Sequence, residues 1–173
     1  AHFRQYAEEI DGLVVLLPNF GDEIAAAETI SRAKLDVPVL VQASKDDVNK
    51  VDVKGRRDSF CGKISVCNNL VQYGIPFTDT TNHTVDIDSE EFSGDLDFFA
   101  RVCRVVRGFT SARVGAIGTR PAPFQTVRFS EKLLQRQGIG VVPVDLSVIL
   151  GEAGKIADDA AEVKQKLEEF RSY

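Results

Sequence analysis

Methionine and tryptophan are absent from this 173-residue chain, histidine occurs twice and cysteine three times. Each scarcity removes a kind of chemistry. His2 and His83 alone leave little material for a histidine-rich metal centre or a Cys–His nucleophilic pair. Cys61, Cys67 and Cys103 cannot all pair, and their spacing is neither C-x-x-C nor a zinc pattern, so they are expected to be reduced core thiols. His83 lies in the polar run Thr80-Thr81-Asn82-His83-Thr84 and is expected to be a solvated loop residue. No apolar run approaches the roughly 18 residues of a membrane span, and no charged-then-apolar signal opens the chain, which makes the cytoplasm the expected compartment. Neither G-x-G-x-x-G nor G-x-x-x-x-G-K-[ST] occurs, and Gly115-x-x-Gly118 is a poor substitute, so nucleotide binding is set aside. Lys and Arg total 21 against 26 Asp and Glu, and the resulting charge of -5 argues against broad nucleic-acid binding and for a small metabolite. The chain starts at Ala1 without any methionine, so we expect a segment of a longer protein rather than a processed start.

What is present is a repeated strand-then-helix rhythm. Leu13-Val14-Val15-Leu16-Leu17 is an uninterrupted apolar run of the kind found in strands covered on both faces. Asp22-Glu23 then places acidic charge in the first turn of a helix expected to run to about Lys34, and Val37–Val41 reads as a second strand with Pro38 near its start. Asp58-Ser59 offers an N-cap for a helix with Phe60, Ile64, Cys67, Leu70 and Val71 on its buried face, stopping at Tyr73-Gly74 before a short strand over Ile75–Thr78. Asp88 and Glu91 form a capping-box-like start, and Phe92, Leu96, Phe99, Cys103 and Val106 recur at steps of four, three, four and three. Arg101, Arg104 and Arg107 on the same segment read as a solvated face.

Gly108-Phe109-Thr110-Ser111 is the best candidate junction, dividing the chain into an α/β domain over 1–108 and a second α/β unit over 112–173. Beyond it, Val114–Ile117 reads as a strand, 124–137 as a helix ended by Gly138, and Ile139–Val144 as a strand. A final helix carries Ile156, Ala160, Val163, Leu167 and Phe170 on one stripe. Two strands with two helices rarely make an independent core, so either all five strands share one sheet or the second unit is truncated. In both cases the alternation predicts an α/β fold, a Rossmann-like three-layer α/β/α arrangement with a mainly parallel sheet.

In such a fold, ligands gather at the carboxyl ends of strands. Three loops belong there: Pro18-Asn19-Phe20-Gly21, the segment ending Arg56-Arg57-Asp58-Ser59, and Gly118-Thr119-Arg120-Pro121. Arginines offer forked donors, Asn19 and Thr119 offer neutral polar groups, and two helix starts expose backbone N–H groups; together these suit a sugar or a carboxylate. Asn19, Arg57, Asp58, Ser59, Thr119 and Arg120 are therefore the candidate substrate-binding residues. Against this, Asp58 and Ser59 can simply cap their helix, Arg57 can pair locally, and Pro121 or Pro123 can simply initiate a helix. Arg120, in a rigid Gly-Thr-Arg-Pro-Ala-Pro turn, has no evident local partner, which favours ligand or interface contact. The reading requires the corners near 57 and 120 to open onto a common rim.

The pattern Arg57-Asp58-Ser59-Phe60-Cys61-Gly62, Asn68-Asn69-Leu70, Tyr73-Gly74-Ile75-Pro76-Phe77, Arg113 to Pro121, Gly138-Ile139 and Val144-Asp145-Leu146-Ser147 resembles the N-terminal half of the L-fucose/L-arabinose isomerase-like sugar isomerases, over most of residues 10–151. That resemblance implies Rossmann-like N-terminal and middle domains, a homo-oligomer with active sites between subunits, and aldose–ketose isomerisation through an ene-diol. It also implies a divalent metal such as manganese, whose acidic and histidine ligands lie in later regions, so no catalytic or metal residue is assigned to this chain. Arg57, Asp58 and Ser59 in one loop and Thr119 and Arg120 in another would support substrate recognition or subunit contact. A non-catalytic sugar-binding or regulatory α/β module is the competing expectation, because a fold does not fix a function.

Overall fold

A computed structural model describes residues 2–173 of the chain. Contacts divide them into a unit ending at Gly108 and a unit Phe109–Tyr173. The first opens with a short helix α1 (His2–Gln5) and a 3-10 turn (Ala7–Glu9), and continues as β1 (Leu13–Leu17), α2 (Glu23–Ala33), β2 (Val39–Ala43), α3 (Ser59–Gln72), β3 (Thr78–Asp79) and α4 (Glu90–Thr110), whose last two residues enter the second unit. Its three strands are parallel in the order β1-β2-β3, with Leu13 opposite Val39 and Leu40 opposite Thr78.

The central strand explains the layering. All five β2 residues are buried, which requires cover on both faces. Val39, Val41 and Ala43 point to one side and pack with Leu17, Ala27 of α2, and Val66 and Leu70 of α3. Leu40 points to the other and packs with Val85, Phe92, Phe99 and Cys103, the last three from α4. The result is the expected three-layer α/β/α arrangement. β2 begins two residues later than the apolar run, because Pro38, without an N–H, uses its carbonyl to accept from Leu13 N at 2.9 Å. β3 shrinks to Thr78–Asp79, while Ile75 and Phe77 pack on the core as side chains.

Helix ends follow local chemistry. Asp22 caps α2 by accepting from Ala25 N at 2.9 Å. At the end of α3, Gly74 takes φ 68°, and Ile75 N and Gly74 N donate back to Leu70 O and Val71 O, a Schellman closure. α4 starts one residue later than expected: Ser89 rather than Asp88 caps it, its Oγ accepting from Phe92 N at 3.2 Å.

The buried face of α3 departs from expectation. Phe60, Ile64 and Val71 are exposed, and the residues turned inward are Ser59, Gly62, Lys63, Val66 and Leu70. The helix is rotated by about a quarter turn from the face its apolar spacing indicates. Two contacts account for this. Gly62 lets the helix approach the β1–α2 loop so closely that a Cβ there would lie 3.1 Å from Phe20 Cα. Lys63 reaches across to the β3 edge. On α4, Phe92, Phe99 and Cys103 are buried as expected, but Leu96 is exposed. Cys61 is also exposed, contrary to its expected place in the core.

The second unit pairs β4 (Arg113–Ile117) and β5 (Gly140–Val144) in parallel, so the five strands form a three-stranded and a two-stranded sheet. Its helices are α5 (Glu131–Arg136), α6 (Leu146–Ala153) and α7 (Ala161–Ser172), with a 3-10 turn at Gln125–Val127. The helix expected over 124–137 begins only at Glu131, where the Ser130 hydroxyl accepts from Leu133 N; Pro121 and Pro123 precede a turn instead. α6 is a helix that the apolar stripes did not indicate, started by Asp145 accepting from Ser147 N at 2.8 Å. The stripe expected for the last helix is split, since Ile156 and Ala160 precede α7 and Leu167 and Phe170 are exposed. No described residue of 109–173 is buried.

Candidate functional site

Where β1 and β2 end, the chain opens a cleft of about 700 Å³, lined by Pro18, Asn19, Ser44, Arg57, Asp86, Ile87 and Asp88. Pro18 and Asn19 directly follow β1, and Ser44 directly follows β2, its N–H donating to Leu17 O at 3.1 Å. The cleft thus lies at the carboxyl edge of a parallel sheet.

Each wall is fixed by backbone bonds. Phe20 N donates to Arg57 O at 2.7 Å, which ties the loop after β1 to the loop before α3, and Asn19 Nδ2 donates to Phe20 O at 2.6 Å. The acidic wall hangs on Val85, whose N–H donates to Ala43 O at 2.8 Å and whose carbonyl accepts from the buried Gln42 Nε2 at 2.5 Å. That double clamp sets Asp86 at the rim, where its Oδ1 accepts from Lys45 N at 3.1 Å. Gln42 and Val85 gave no signal in the sequence, because a lone glutamine in an apolar strand and a valine in a polar loop are defined only by each other.

Of the expected contact residues, Asn19 and Arg57 line this cleft. Among the described residues the Arg57 guanidinium has no hydrogen-bond or ion-pair partner and is exposed; the local ion pair joins Arg56 to Asp58 at 2.9 Å instead. Asp58 is N-cap by position but holds φ 54° and makes no side-chain cap bond. The cap comes from Asp46, whose carboxylate accepts from Ser59 N at 3.1 Å, the Ser59 hydroxyl at 3.1 Å and Phe60 N at 3.4 Å. Ser59 is fully buried in that contact. Thr119 and Arg120 belong to the second unit, where Arg120 Nη1 donates to Pro121 O at 3.1 Å and Ala122 O at 2.8 Å. The local partners that the sequence did not reveal are therefore the carbonyls of its own turn.

The capping carboxylates change what the site offers. Asp22 accepts from Ala25 N of α2 and Asp46 from Ser59 N and Phe60 N of α3, so a carboxylate already stands at each of these helix starts, which were expected to face a ligand with free donors. Burial pushes the Asp46 carboxyl up, but the donors of Ser59, Phe60 and Asp58 outweigh it and hold the group below its ordinary value of 3.8. The unfolded chain therefore binds the proton more tightly, and stability rises with pH across the window between the folded and unfolded values. The contribution is complete above about pH 4 and is lost as pH falls through the lower folded value. Asp46→Ala is expected to cost about 1 kcal/mol at pH 7, the usual worth of a helix cap. Urea denaturation should show the gap between the two proteins closing toward pH 3; a gap independent of pH would refute the assignment.

Lys63 of α3 is only 3% exposed, and its Nζ donates to Thr80 Oγ1 at 2.8 Å and His83 O at 2.9 Å and pairs with Asp79. A lysine in a helix ordinarily reads as solvated, so the sequence carries no sign of this role. His83 is exposed as expected, its ring 5.5 Å from that of Phe60. The Cys67 and Cys103 thiols are pushed up by burial first and by Asp79 and Asp11 respectively, which keeps them protonated and unreactive. Among the described residues no group of three or more His, Cys, Asp or Glu side chains is placed to hold a metal ion. No described helix is long and apolar enough to cross a membrane.

Comparison with known proteins adds one finding. A family model for the fucose/sulfoquinovose isomerase N-terminal domain matches residues 1–110. No individual curated protein matches the chain. The match spans the first unit with its cleft and stops short of residues 111–151, which the resemblance in the sequence also included. By this match over most of its length, the chain belongs to the fucose/sulfoquinovose isomerase family and carries that family's N-terminal domain.

Proposed function

We propose that the first unit contributes sugar recognition to an aldose–ketose isomerase, with Asn19 and Arg57 as donors and Ser44, Asp86 and Asp88 as acceptors for sugar hydroxyls. The observation that carries this reading is the unpartnered Arg57 guanidinium facing a cleft whose other wall holds two carboxylates. An anion such as phosphate would meet Asp86 and Asp88, and a carboxylate at the start of each neighbouring helix, whereas a neutral polyol uses donors and acceptors together. Ser59, bonded to Asp46, acts behind the surface and holds the start of α3 so that Arg57 is presented to the cleft, while Asp58 pairs with Arg56. Proton transfer and the divalent metal belong to residues outside this set, and Thr119 and Arg120 form a second loop whose arginine donates through Nη1 to two carbonyls of its own turn.

A contact made equally to bound sugar and to transition state changes affinity more than turnover. In the complete isomerase, Arg57→Ala is expected to raise KM for the sugar about tenfold, the worth of one charged hydrogen bond, with kcat changed much less. Arg120→Ala, which removes a group bonded to its own loop, should change KM less. Steady-state kinetics on an aldose panel decides this, and an unchanged KM in the Arg57 variant would remove the cleft from the reading.

A further inference from the structure

Gln42 is an unusual occupant of its strand. All five residues of β2 are buried, so its amide stands where an apolar side chain would pack, on the same face of the sheet as Leu40. Its Nε2 donates to Val85 O at 2.5 Å, but its Oε1 is buried and has no hydrogen-bond partner among the described residues. A buried acceptor without a donor opposes folding. Stability alone therefore gives no reason for glutamine over leucine at this position, and the reason is to be sought in what Nε2 holds.

What it holds is the root of the acidic wall. Val85 is fully buried, packs with Leu40, Phe92, Phe99 and Cys103, and donates its N–H to Ala43 O. Asp86 follows directly. Its Oδ1 accepts from Lys45 N at 3.1 Å, and its carbonyl accepts from Ser89 N at 3.1 Å and Ser89 Oγ at 2.7 Å. The cleft-lining stretch Asp86-Ile87-Asp88 is thus pinned at Val85 to the central strand and at Ser89 to the start of α4. If the Gln42 amide is removed, the Val85 carbonyl becomes the buried atom without a donor. It regains one by turning toward water, and Asp86 turns with it because the two residues share one planar peptide unit.

We propose that Gln42 is a positioning residue for the sugar site, acting through the Val85 carbonyl on the carboxylates of Asp86 and Asp88 without touching the sugar. This rests on the reading of the cleft as the site of sugar recognition. Gln42 itself is not among the residues that line the cleft. Leucine at this position removes the orphaned Oε1 together with the donor, so the two effects on folding oppose each other while the hold on the acidic wall is lost outright. The loss is therefore read in sugar affinity rather than in stability, and in KM rather than in kcat.

A double-mutant cycle in the complete isomerase tests this. Gln42→Leu is expected to raise KM for the sugar about fivefold, the worth of one neutral hydrogen bond, with kcat changed much less and the urea midpoint close to that of the wild type. In a background carrying Asp86→Ala and Asp88→Ala, the same substitution should change KM by less than about twofold, because the groups through which it acts are gone. Hydrogen exchange of the Val85 amide should quicken about fivefold in Gln42→Leu, a readout that needs no turnover. Should Gln42→Leu fail to fold, Gln42→Met, which matches glutamine in length, takes its place in every arm. A raised KM in Arg57→Ala beside an unchanged KM in the Gln42 variant overturns the role of Gln42 and leaves the cleft standing. An equal rise in KM with and without the two aspartates, or Val85 exchange at the wild-type rate, also overturns it. An unchanged KM in Arg57→Ala removes the cleft and this inference together.

Discussion

Lys63→Met is expected to destabilise the first unit by about 3 kcal/mol, lowering its melting temperature by about 10 °C, even though methionine fills nearly the same space. The cost lies in what the ammonium leaves behind. Thr80 is buried and loses a donor to its Oγ1, the His83 carbonyl loses another, and the Asp79 carboxylate loses its counter-charge. Asp79 is 44% exposed, so water screens part of that pair, and its share is smaller than in a fully buried bridge. A double-mutant cycle with Asp79→Asn should accordingly return a coupling of only about 1 kcal/mol, the remainder belonging to Thr80 and the His83 carbonyl. Chemical denaturation of the four proteins measures both quantities. If Lys63→Met unfolds at the wild-type midpoint, the buried lysine does not hold the 79–83 segment on α3.

Gly138→Ala is expected to be about as damaging, for a different reason. Gly138 holds φ 81° at the turn from α5 to β5, and a Cβ built there would lie 2.4 Å from the backbone carbonyl oxygen of Thr110. The left-handed conformation alone costs an alanine about 1 kcal/mol, and a carbonyl fixed at the end of a helix cannot step aside as a flexible side chain can. The expected total is on the order of 3 kcal/mol, and the unit has no buried residue with which to absorb it. Gly74→Ala is the internal control: φ is 68° there, but nothing lies within 4 Å, so only the conformational cost of about 1 kcal/mol applies. Amide exchange across 109–173 should rise sharply in the Gly138 variant, with the first unit unaffected. Equal effects of the two substitutions would show that the close approach to Thr110 carries no weight.

The features that could be read from the chain are those whose cause lies within a few residues. β1 spans the apolar run Leu13–Leu17, α2 opens with Glu23 in its first turn, Gly74 ends α3 through a positive φ, and Phe92, Phe99 and Cys103 bury one side of α4. Each follows from the backbone preference of one residue or from a periodicity inside one element. The family resemblance was legible for the same reason, since it rests on short contiguous strings.

The site was legible only in part. Asn19 and Arg57 stand directly after a strand and before a helix, and that placement is local. Asp46 as the cap of Ser59, Val85 clamped by Ala43 and Gln42, and Lys63 turned toward Thr80 join residues 13 to 43 positions apart. Nothing in the immediate neighbours of those residues marks the pairing. α3 shows the consequence most plainly: its apolar spacing favours one face, and the close approach at Gly62 with the bonds of Lys63 selects another.

By itself, the sequence determined the alternation of strands and helices, the glycine stop of α3, the parallel α/β class and the family, because these depend on short-range sterics and on the period of burial. Only the tertiary structure decided which carboxylate closes α3, which loop wall carries Asp86, and that Arg57 rather than Asp58 is left without a partner. Those outcomes are settled by competition among polar groups brought together when the sheet forms, and a donor's partner is known only once every other claimant has a place.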